Sequence, residues 1–178
     1  MIKKIENLSS GTKITWGKAA NAKRYDIYRK IGNGKAKKIA SVKKGTSYID
    51  KKAKSNGKTY YYSVRAVNGS QYIATKYVKN VYVSRPAISS VKNTSRKKMT
   101  VTWKKNKKAS GYQIRYGTKK SLTKAKPVTV KGGSKKTKTI SSLKKGKRYY
   151  VQIRTYKTVK GKKYYSDWSA RRSVTIKR

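Results

Sequence analysis

The chain has 178 residues, of which 51 are Lys or Arg and only four are Asp or Glu, so its formal net charge is +47; His and Cys are absent. The chain therefore lacks the commonest general base, the thiol nucleophile and the usual transition-metal ligands. We expect its few carboxylates on different strands and loops, not as the facing pair that two-carboxylate catalysis requires, so we predict no enzyme, no metal site and no cofactor. These acids are Glu6, Asp26, Asp50 and Asp167.

The two halves of the chain repeat each other. Matching segments recur at an offset of 87 residues early in the repeat and of 89 residues later, which one loop insertion explains. The segments are Lys13–Trp16 with Thr100–Trp103, Tyr25–Ile27 with Tyr112–Ile114, and Gly57–Tyr61 with Gly146–Tyr150. At about 90 residues per domain, we predict two domains, at residues 1–85 and 86–178.

Each copy has the pattern of short strands. Apolar and polar residues alternate with a period of two, which is typical of strands with one buried face, and this alternation predicts that Asp26 points outward. The clearest apolar rows are Met99, Val101 and Trp103, then Tyr112, Ile114 and Tyr116, then Tyr149, Val151 and Ile153. The predicted turns are Asn33-Gly34, Asn68-Gly69, Gly132-Gly133 and Lys160-Gly161. Residues 132–135 are interpreted as a hairpin turn and not as a phosphate-binding loop, because the glycine spacing of such loops is missing.

About seven strands per copy predict an all-β fold of two tandem Greek-key sandwiches. No stretch shows a sustained helical period, and no apolar run approaches the ~18 residues of a membrane span. Trp16 and Trp103 are expected at the centres of the two cores, with Tyr60 and Tyr149 also buried there.

These residues carry a family resemblance. A Trp on the second strand, a Tyr-x-Ile third strand and a Gly-x-x-Tyr entry to the sixth strand resemble the immunoglobulin-like fibronectin type III domain. The first strand at Pro86–Val91 and the Leu143-to-Tyr149 spacing of a tyrosine corner are also similar to that family. The tandem arrangement with lysine-rich loops looks most like copies found in large surface proteins of Gram-positive bacteria. The resemblance implies a non-catalytic binding or spacer module at the cell surface or outside the cell.

The charge suggests an anionic partner. A +47 charge has to be hydrated, screened or matched by an anion, and it favours a monomer through self-repulsion. We expect teichoic acid or another anionic wall polymer, or a sulfated glycan, to bind, with nucleic acid and a purely passive spacer as the alternatives. The residues expected to bind the polyanion are Lys135, Lys136, Lys138, Lys144, Lys145, Lys147, Arg148, Lys160, Lys162 and Lys163.

A basic and aromatic face is predicted on one sheet of the second copy. Alternation places its members outward on neighbouring strands, and Ser166–Ser169 resembles half of the Trp-Ser box of cytokine-receptor relatives, in which Trp and Arg stack alternately. We expect the Trp168 indole to lie over the Arg154 guanidinium as a cation–π pair. The face either stabilises the fold or stacks a sugar or base. Its members are Arg115, Tyr150, Arg154, Tyr156, Trp168 and Arg171.

Overall fold

A computed structural model describes residues 1–125 and 127–177. In that part of the chain the regular secondary structure consists of β-strands. The chain divides into two compact units, Met1–Ser84 (unit 1) and Arg85–Arg178 (unit 2). Each unit contains two antiparallel sheets, so the predicted all-β fold of two tandem sandwiches is confirmed.

Unit 1 contains eight strands. They are β1 Ile2–Leu8, β2 Gly11–Trp16, β3 Arg24–Ile31, β4 Lys37–Val42, β5 Ser47–Asp50, β6 Thr59–Asn68, β7 Gln71–Ala74 and β8 Val78–Val81. One sheet has the order β1-β2-β5, and the other has the order β4-β3-β6-β7 with β8 also paired to β6. The last strand of the sandwich is therefore interrupted and forms two segments, β7 and β8, on the same side of β6.

Unit 2 repeats this arrangement. Its strands are β9 Ile88–Ser95, β10 Lys98–Trp103, β11 Gly111–Gly117, β12 Val128–Lys131, β13 Thr137–Ile140, β14 Arg148–Val159, β15 Lys162–Tyr165 and β16 Arg172–Thr175. The sheets have the orders β13-β10-β9 and β12-β11-β14-β15, with β16 also paired to β14. The same interruption of the last strand gives eight strands where about seven were predicted.

Each core is centred on the same pair of aromatic residues. Trp16 and Trp103 are each 2% exposed, and their rings lie 5.5 Å from Tyr25 and 5.1 Å from Tyr112, respectively. Alternation places these four residues inward, where burial of large aromatic surface is a major stabilising contribution.

The two predicted core tyrosines are also buried. Tyr60 belongs to the core of unit 1 and Tyr149 to that of unit 2. The Tyr149 hydroxyl accepts a hydrogen bond of 3.0 Å from the Lys144 backbone N–H. This bond closes the tyrosine corner that the Leu143-to-Tyr149 spacing predicted for unit 2.

A buried ion pair connects the two sheets of unit 1. Asp50, at the end of β5, accepts hydrogen bonds of 3.0 and 2.8 Å from one guanidinium nitrogen of Arg29 on β3. The Tyr62 hydroxyl on β6 donates to the same carboxylate at 3.0 Å. Burial, with the nearby Asp50 charge, raises the pKa of Tyr62, so its hydroxyl stays protonated as the donor.

One local prediction is wrong, and a second, that Asp26 points outward, is right about the face but not about exposure. Residues 132–135 do not form a hairpin turn, because β12 and β13, on either side of them, belong to different sheets. Asp26 lies on the face of β3 opposite Tyr25 and Ile27, but it is only 5% exposed. The side chains of Arg24, Lys38 and Ser41 surround its carboxylate, which alternation alone could not indicate.

Candidate functional site: the arginine ladder and basic ends of unit 2

Two arginines of unit 2 lie against aromatic rings on the outer face of the β11–β14 sheet. The Arg154 guanidinium carbon is 4.0 Å from the ring centre of Tyr165 and 4.5 Å from that of Trp168. The Arg115 guanidinium carbon is 4.4 Å from the same Trp168 ring. We call the series Tyr165, Arg154, Trp168 and Arg115 the ladder of unit 2. It contains the pair of Trp168 and Arg154 expected from the sequence.

Two glutamines fix the arginines of the ladder from the side. β11 and β14 pair so that Gln113 lies opposite Arg154 and Arg115 lies opposite Gln152. Gln113 Oε1 accepts two hydrogen bonds from Arg154, at 2.9 and 2.7 Å, and Gln152 Oε1 accepts two from Arg115, at 3.1 and 2.7 Å. Each guanidinium thus has an amide at its edge and a ring at its face, a combination that only Arg can satisfy with its planar fork.

Trp168 reaches this face because β14 is paired there with a bulged segment. Ser166 N–H donates to the Thr155 carbonyl and Ser169 N–H to the Ile153 carbonyl, so two residues, Asp167 and Trp168, lie opposite Arg154 alone. Two residues opposite one is the definition of a β-bulge. The hydroxyls of Ser166 and Ser169 accept the N–H groups of Thr155 and Ile153 at 3.1 Å each, which keeps the irregular segment attached to β14.

The ladder holds two positive charges close together. Burial lowers the pKa of Arg115. Burial also lowers the pKa of Arg154; Tyr165 opposes this shift, and the neighbouring Arg115 charge adds to it. Arginine remains protonated throughout the physiological range, so the consequence is electrostatic. The rings and amide oxygens offset the mutual repulsion of the two guanidinium groups.

The other predicted members of this face lie at its margins. The Arg171 guanidinium is 5.9 Å from the Tyr150 ring and donates to the Lys120 carbonyl at 3.0 Å. Tyr156 is buried, with its ring 6.2 Å from that of Tyr165 and the Lys163 ammonium 5.5 Å above it. Tyr156 is on the same face of β14 as Arg154, but because it is buried against Gly111 it cannot stack a ligand without rearrangement.

The unit 1 counterpart of the ladder has a different composition. The Arg65 guanidinium carbon lies 4.1 Å from the Tyr28 ring and 4.4 Å from the Tyr72 ring. Only Ala74 lies opposite Arg65, and Thr75 N–H donates directly to the Val64 carbonyl. Unit 1 therefore has no bulge and no tryptophan at this point.

Nine of the ten basic residues predicted to bind a polyanion fall into two groups at opposite ends of unit 2. Strand β14 runs from Arg148 to Val159, and its twelve residues at ~3.3 Å each separate the two ends by roughly 40 Å. The hairpin-end cluster lies at the end of unit 2 where β14 turns into β15, and it consists of Lys135, Lys136, Lys160, Lys162 and Lys163. The corner-end cluster lies at the tyrosine corner, and it consists of Lys144, Lys145, Lys147 and Arg148. All nine side chains are exposed. Lys138, also exposed, lies on β13 between the two ends.

Ser110 shows that two separate loops meet at the hairpin end. Its carbonyl accepts the Gly132 N–H at 2.9 Å, and its hydroxyl accepts the Thr158 N–H at 3.0 Å. Gly133 is required here, because a Cβ at this position would lie 2.3 Å from the Ala109 carbonyl oxygen. The loop from Lys104 to Lys108 adds four more exposed lysines to this end, at positions 104, 105, 107 and 108.

Among residues 1–125 and 127–177, no group of three or more His, Cys, Asp or Glu side chains could hold a metal ion. The same part of the chain contains no helix of the length and hydropathy needed to span a membrane.

Comparisons with known proteins gave one family match and several similar solved structures. A family model described as the fibronectin type III domain matches residues 84–172. A two-domain fibronectin type III segment of chicken tenascin is 21% identical, with 98% of each chain covered and a TM-score of 0.48. The FN1-FN3 domains of chicken CNTN1 are 19% identical with a TM-score of 0.44; 99% of the present chain is covered, and it spans 64% of that structure. No curated protein matches the sequence.

Proposed function

Because the chain belongs to the fibronectin type III family, we propose that it is a non-catalytic module of an extracellular or cell-surface protein and that unit 2 binds an anionic polymer. Modules of this family are typically binding or structural domains, commonly in extracellular proteins. The observation that carries the proposal is the charge of residues 86–178, where 30 basic residues accompany one acid, Asp167. A coat of one sign is not needed for solubility, which mixed charges provide equally well.

The chemistry of the cations indicates the class of polymer. The exposed clusters are almost entirely lysine, a hydrated point charge without the bidentate fork with which arginine reads a particular anion. The arginines of the ladder are already held by rings and amides. Recognition by charge density follows, and it suits a teichoic acid-like wall polymer or a sulfated glycan. Nucleic acid is less well supported, because neither unit carries a nucleic-acid-binding motif.

The two ends give the polymer a minimum useful length. A polymer that spans roughly 40 Å contacts both clusters at once, whereas a short oligomer occupies only one of them. Joining two weak contacts on one ligand raises the overall affinity through effective concentration. We therefore expect affinity to rise steeply at the polymer length that first reaches both ends.

The test compares four-residue neutralisations of equal charge in the full chain. Lys144, Lys145, Lys147 and Arg148 are changed to Gln in one variant, and Lys135, Lys136, Lys162 and Lys163 in another. The matched control changes Lys43, Lys44, Lys51 and Lys54, which are exposed lysines of unit 1. Binding to heparin, teichoic acid and DNA of matched charge is measured between 50 and 200 mM salt.

We expect each unit 2 variant to bind long polymers more weakly than the unit 1 control. For the unaltered chain, affinity falls by on the order of 10³ over this salt range if six or more charges are engaged. Absence of binding at physiological salt, or equal losses in all three variants, would contradict the proposal. The first of these results would support a passive spacer.

A further inference from the structure

The exposed apolar side chains of the protein are concentrated in unit 1, along one edge of a sheet. Among the described residues, the exposed large hydrophobic side chains are Met1, Ile31, Tyr72, Ile73, Tyr77 and Val78. Four of these lie between residues 72 and 78, in β7, in β8 and in the segment that joins them. Ile73 is 81% exposed and Tyr72 is 53% exposed. Clustered exposed apolar side chains are a feature of protein interaction sites.

The sequence around this edge is uncharged to an unusual degree. Residues 66–75 contain no Lys, Arg, Asp or Glu, and this is the longest such stretch in a chain with 51 basic residues. Strand β7 lies at the end of the sheet order β4-β3-β6-β7, and all four of its residues are exposed. Its outer edge therefore offers backbone N–H and C=O groups to another strand.

The equivalent edge of unit 2 is protected. Strand β15 occupies the same place in the order β12-β11-β14-β15, and it begins with Lys162 and Lys163, both exposed. Lysines on an edge strand prevent pairing with another strand, because pairing would bring their charges out of water. The two copies thus differ at this edge strand. Strand β7 has the uncharged sequence Gln-Tyr-Ile-Ala, whereas β15 has the sequence Lys-Lys-Tyr-Tyr, whose lysines disfavour pairing.

A groove beside β7 can receive the side chains of an added strand. It has a volume of about 560 Å³, and its apolar lining includes Trp16, Tyr25, Ala66 and Ile73. A second hollow, of about 540 Å³, shares Ala66 and Ile73 and extends along Ala19–Ala22. Alternate side chains of a strand paired with β7 would enter this groove, which is how β-augmentation combines backbone pairing with side-chain specificity.

We propose that β7 of unit 1 binds an extended segment of a partner protein by β-augmentation, and that this segment has apolar residues in alternation and acidic flanks. Charge selects the occupant. Lys76 lines the groove, and Lys18 and Lys23 flank Ala19–Ala22 in sequence, so carboxylates at the ends of the segment are favoured. A second copy of the chain is disfavoured, because it brings a net charge of +47 against +47.

The probe is a ten-residue peptide with two glutamates at each end and six alternating valines and threonines between them. The control peptide has prolines in place of the central valine and threonine, which preserves its charge but removes strand pairing. Binding to the full chain is followed by calorimetry and by hydrogen exchange of the residue 71–74 amides. One protein variant is Ile73→Lys, which places a lysine on β7 as unit 2 has on β15. The other is Ser9→Lys, which adds the same charge in an exposed turn of unit 1.

We expect the probe to slow exchange of the β7 amides, and Ile73→Lys to weaken binding by about tenfold or more while Ser9→Lys leaves it unchanged. Equal binding of the proline peptide would overturn the proposal, because attraction to lysines would then suffice. Unaltered binding by Ile73→Lys, or unchanged exchange in the unaltered protein, would also overturn it. Dimerisation without peptide that Ile73→Lys abolishes would replace the partner segment with a second copy.

Discussion

Units 1 and 2 hold an arginine at the same point of the same sheet with different sets of neighbours. In unit 1, Arg65 lies against two tyrosines, and the residue opposite it on β3 is Asp26. In unit 2, Arg154 lies against Tyr165 and Trp168, and the residue opposite it is Gln113. The Asp26 carboxylate compensates part of the positive charge on the face of unit 1, whereas the neutral Gln113 amide in unit 2 compensates none.

The tryptophan of unit 2 comes from one inserted residue at the edge of the sheet. Where unit 1 has only Ala74 opposite its arginine, unit 2 has Asp167 and Trp168, and the extra residue places an indole between two guanidinium groups. Because the insertion lies at an edge, the bulge changes the outer face and leaves the core pairing of β11 with β14 intact. A surface feature can thus be added to this sandwich without redesigning its interior.

The largest expected effect tests whether the two units depend on the same core. Trp103→Ala should destabilise unit 2 by ~3–5 kcal/mol, and Trp16→Ala should destabilise unit 1 equally, because each removes a buried indole. Two-transition thermal melting of the full chain measures both effects, with each variant serving as the control for the other unit. A cooperative, near-unaltered melt of Trp103→Ala would show that this tryptophan is not the centre of its core.

A smaller effect on stability tests the ladder of unit 2, which differs from its counterpart in unit 1 by Trp168. Trp168→Ala should lower the stability of unit 2 by ~1–2 kcal/mol, because two cation–π contacts are lost and the arginines remain close together. Affinity for a polyanion should not change, since the ladder guanidinium groups are already engaged. Melting temperature and polyanion affinity are measured on the same variant. Lost affinity with an unchanged melting temperature would instead identify the ladder as a stacking site for a ligand.

The smallest effect is a pH dependence confined to unit 1. Burial of Asp26 raises the pKa of its carboxyl, but the Ser41 hydrogen bond and the Arg24 and Lys38 charges outweigh burial and lower it. A carboxyl with a lowered pKa stabilises the folded state above its unfolded pKa of ~3.9, and this contribution is lost as the pH falls through the folded value.

We therefore expect the melting temperature of unit 1 to fall more steeply below about pH 5 in the unaltered chain than in Asp26→Asn. Unit 2 provides the internal reference, because Gln113 occupies the matching position and does not titrate. Parallel curves for the two proteins would show that the Asp26 carboxylate does not contribute.

The sequence supported the fold better than the surface. Alternation and the repeated Trp and Tyr positions predicted the cores, because a period of two determines which residues face inward. The bulge at Trp168 was not predicted. The offset between the two copies shows how many residues are inserted, but it does not show which strand they lie opposite. The prediction of a hairpin turn at residues 132–135 was wrong for a similar reason. A period of two identifies a strand, but it does not show to which sheet the strand belongs.

The division of the lysines into two clusters at opposite ends of unit 2 was also not predictable from the sequence. Lys147 and Lys160 are close in number but lie at opposite ends of β14, and Lys136 and Lys160 are far apart in number but share an end. The burial of Asp26 depends on long side chains from neighbouring strands. Such groupings follow from strand pairing, which a single sequence does not contain.

The cluster of Asp50, Arg29 and Tyr62 gives unit 1 a distinct response to mechanical force. The hydrophobic effect between packed apolar side chains is non-directional. A hydrogen-bonded ion pair is directional, so a displacement of about one ångström between the sheets is enough to break its geometry. The Asp50 carboxylate is hydrogen-bonded to residues of the facing sheet. We therefore expect unit 1 to resist shear between its sheets until these bonds break.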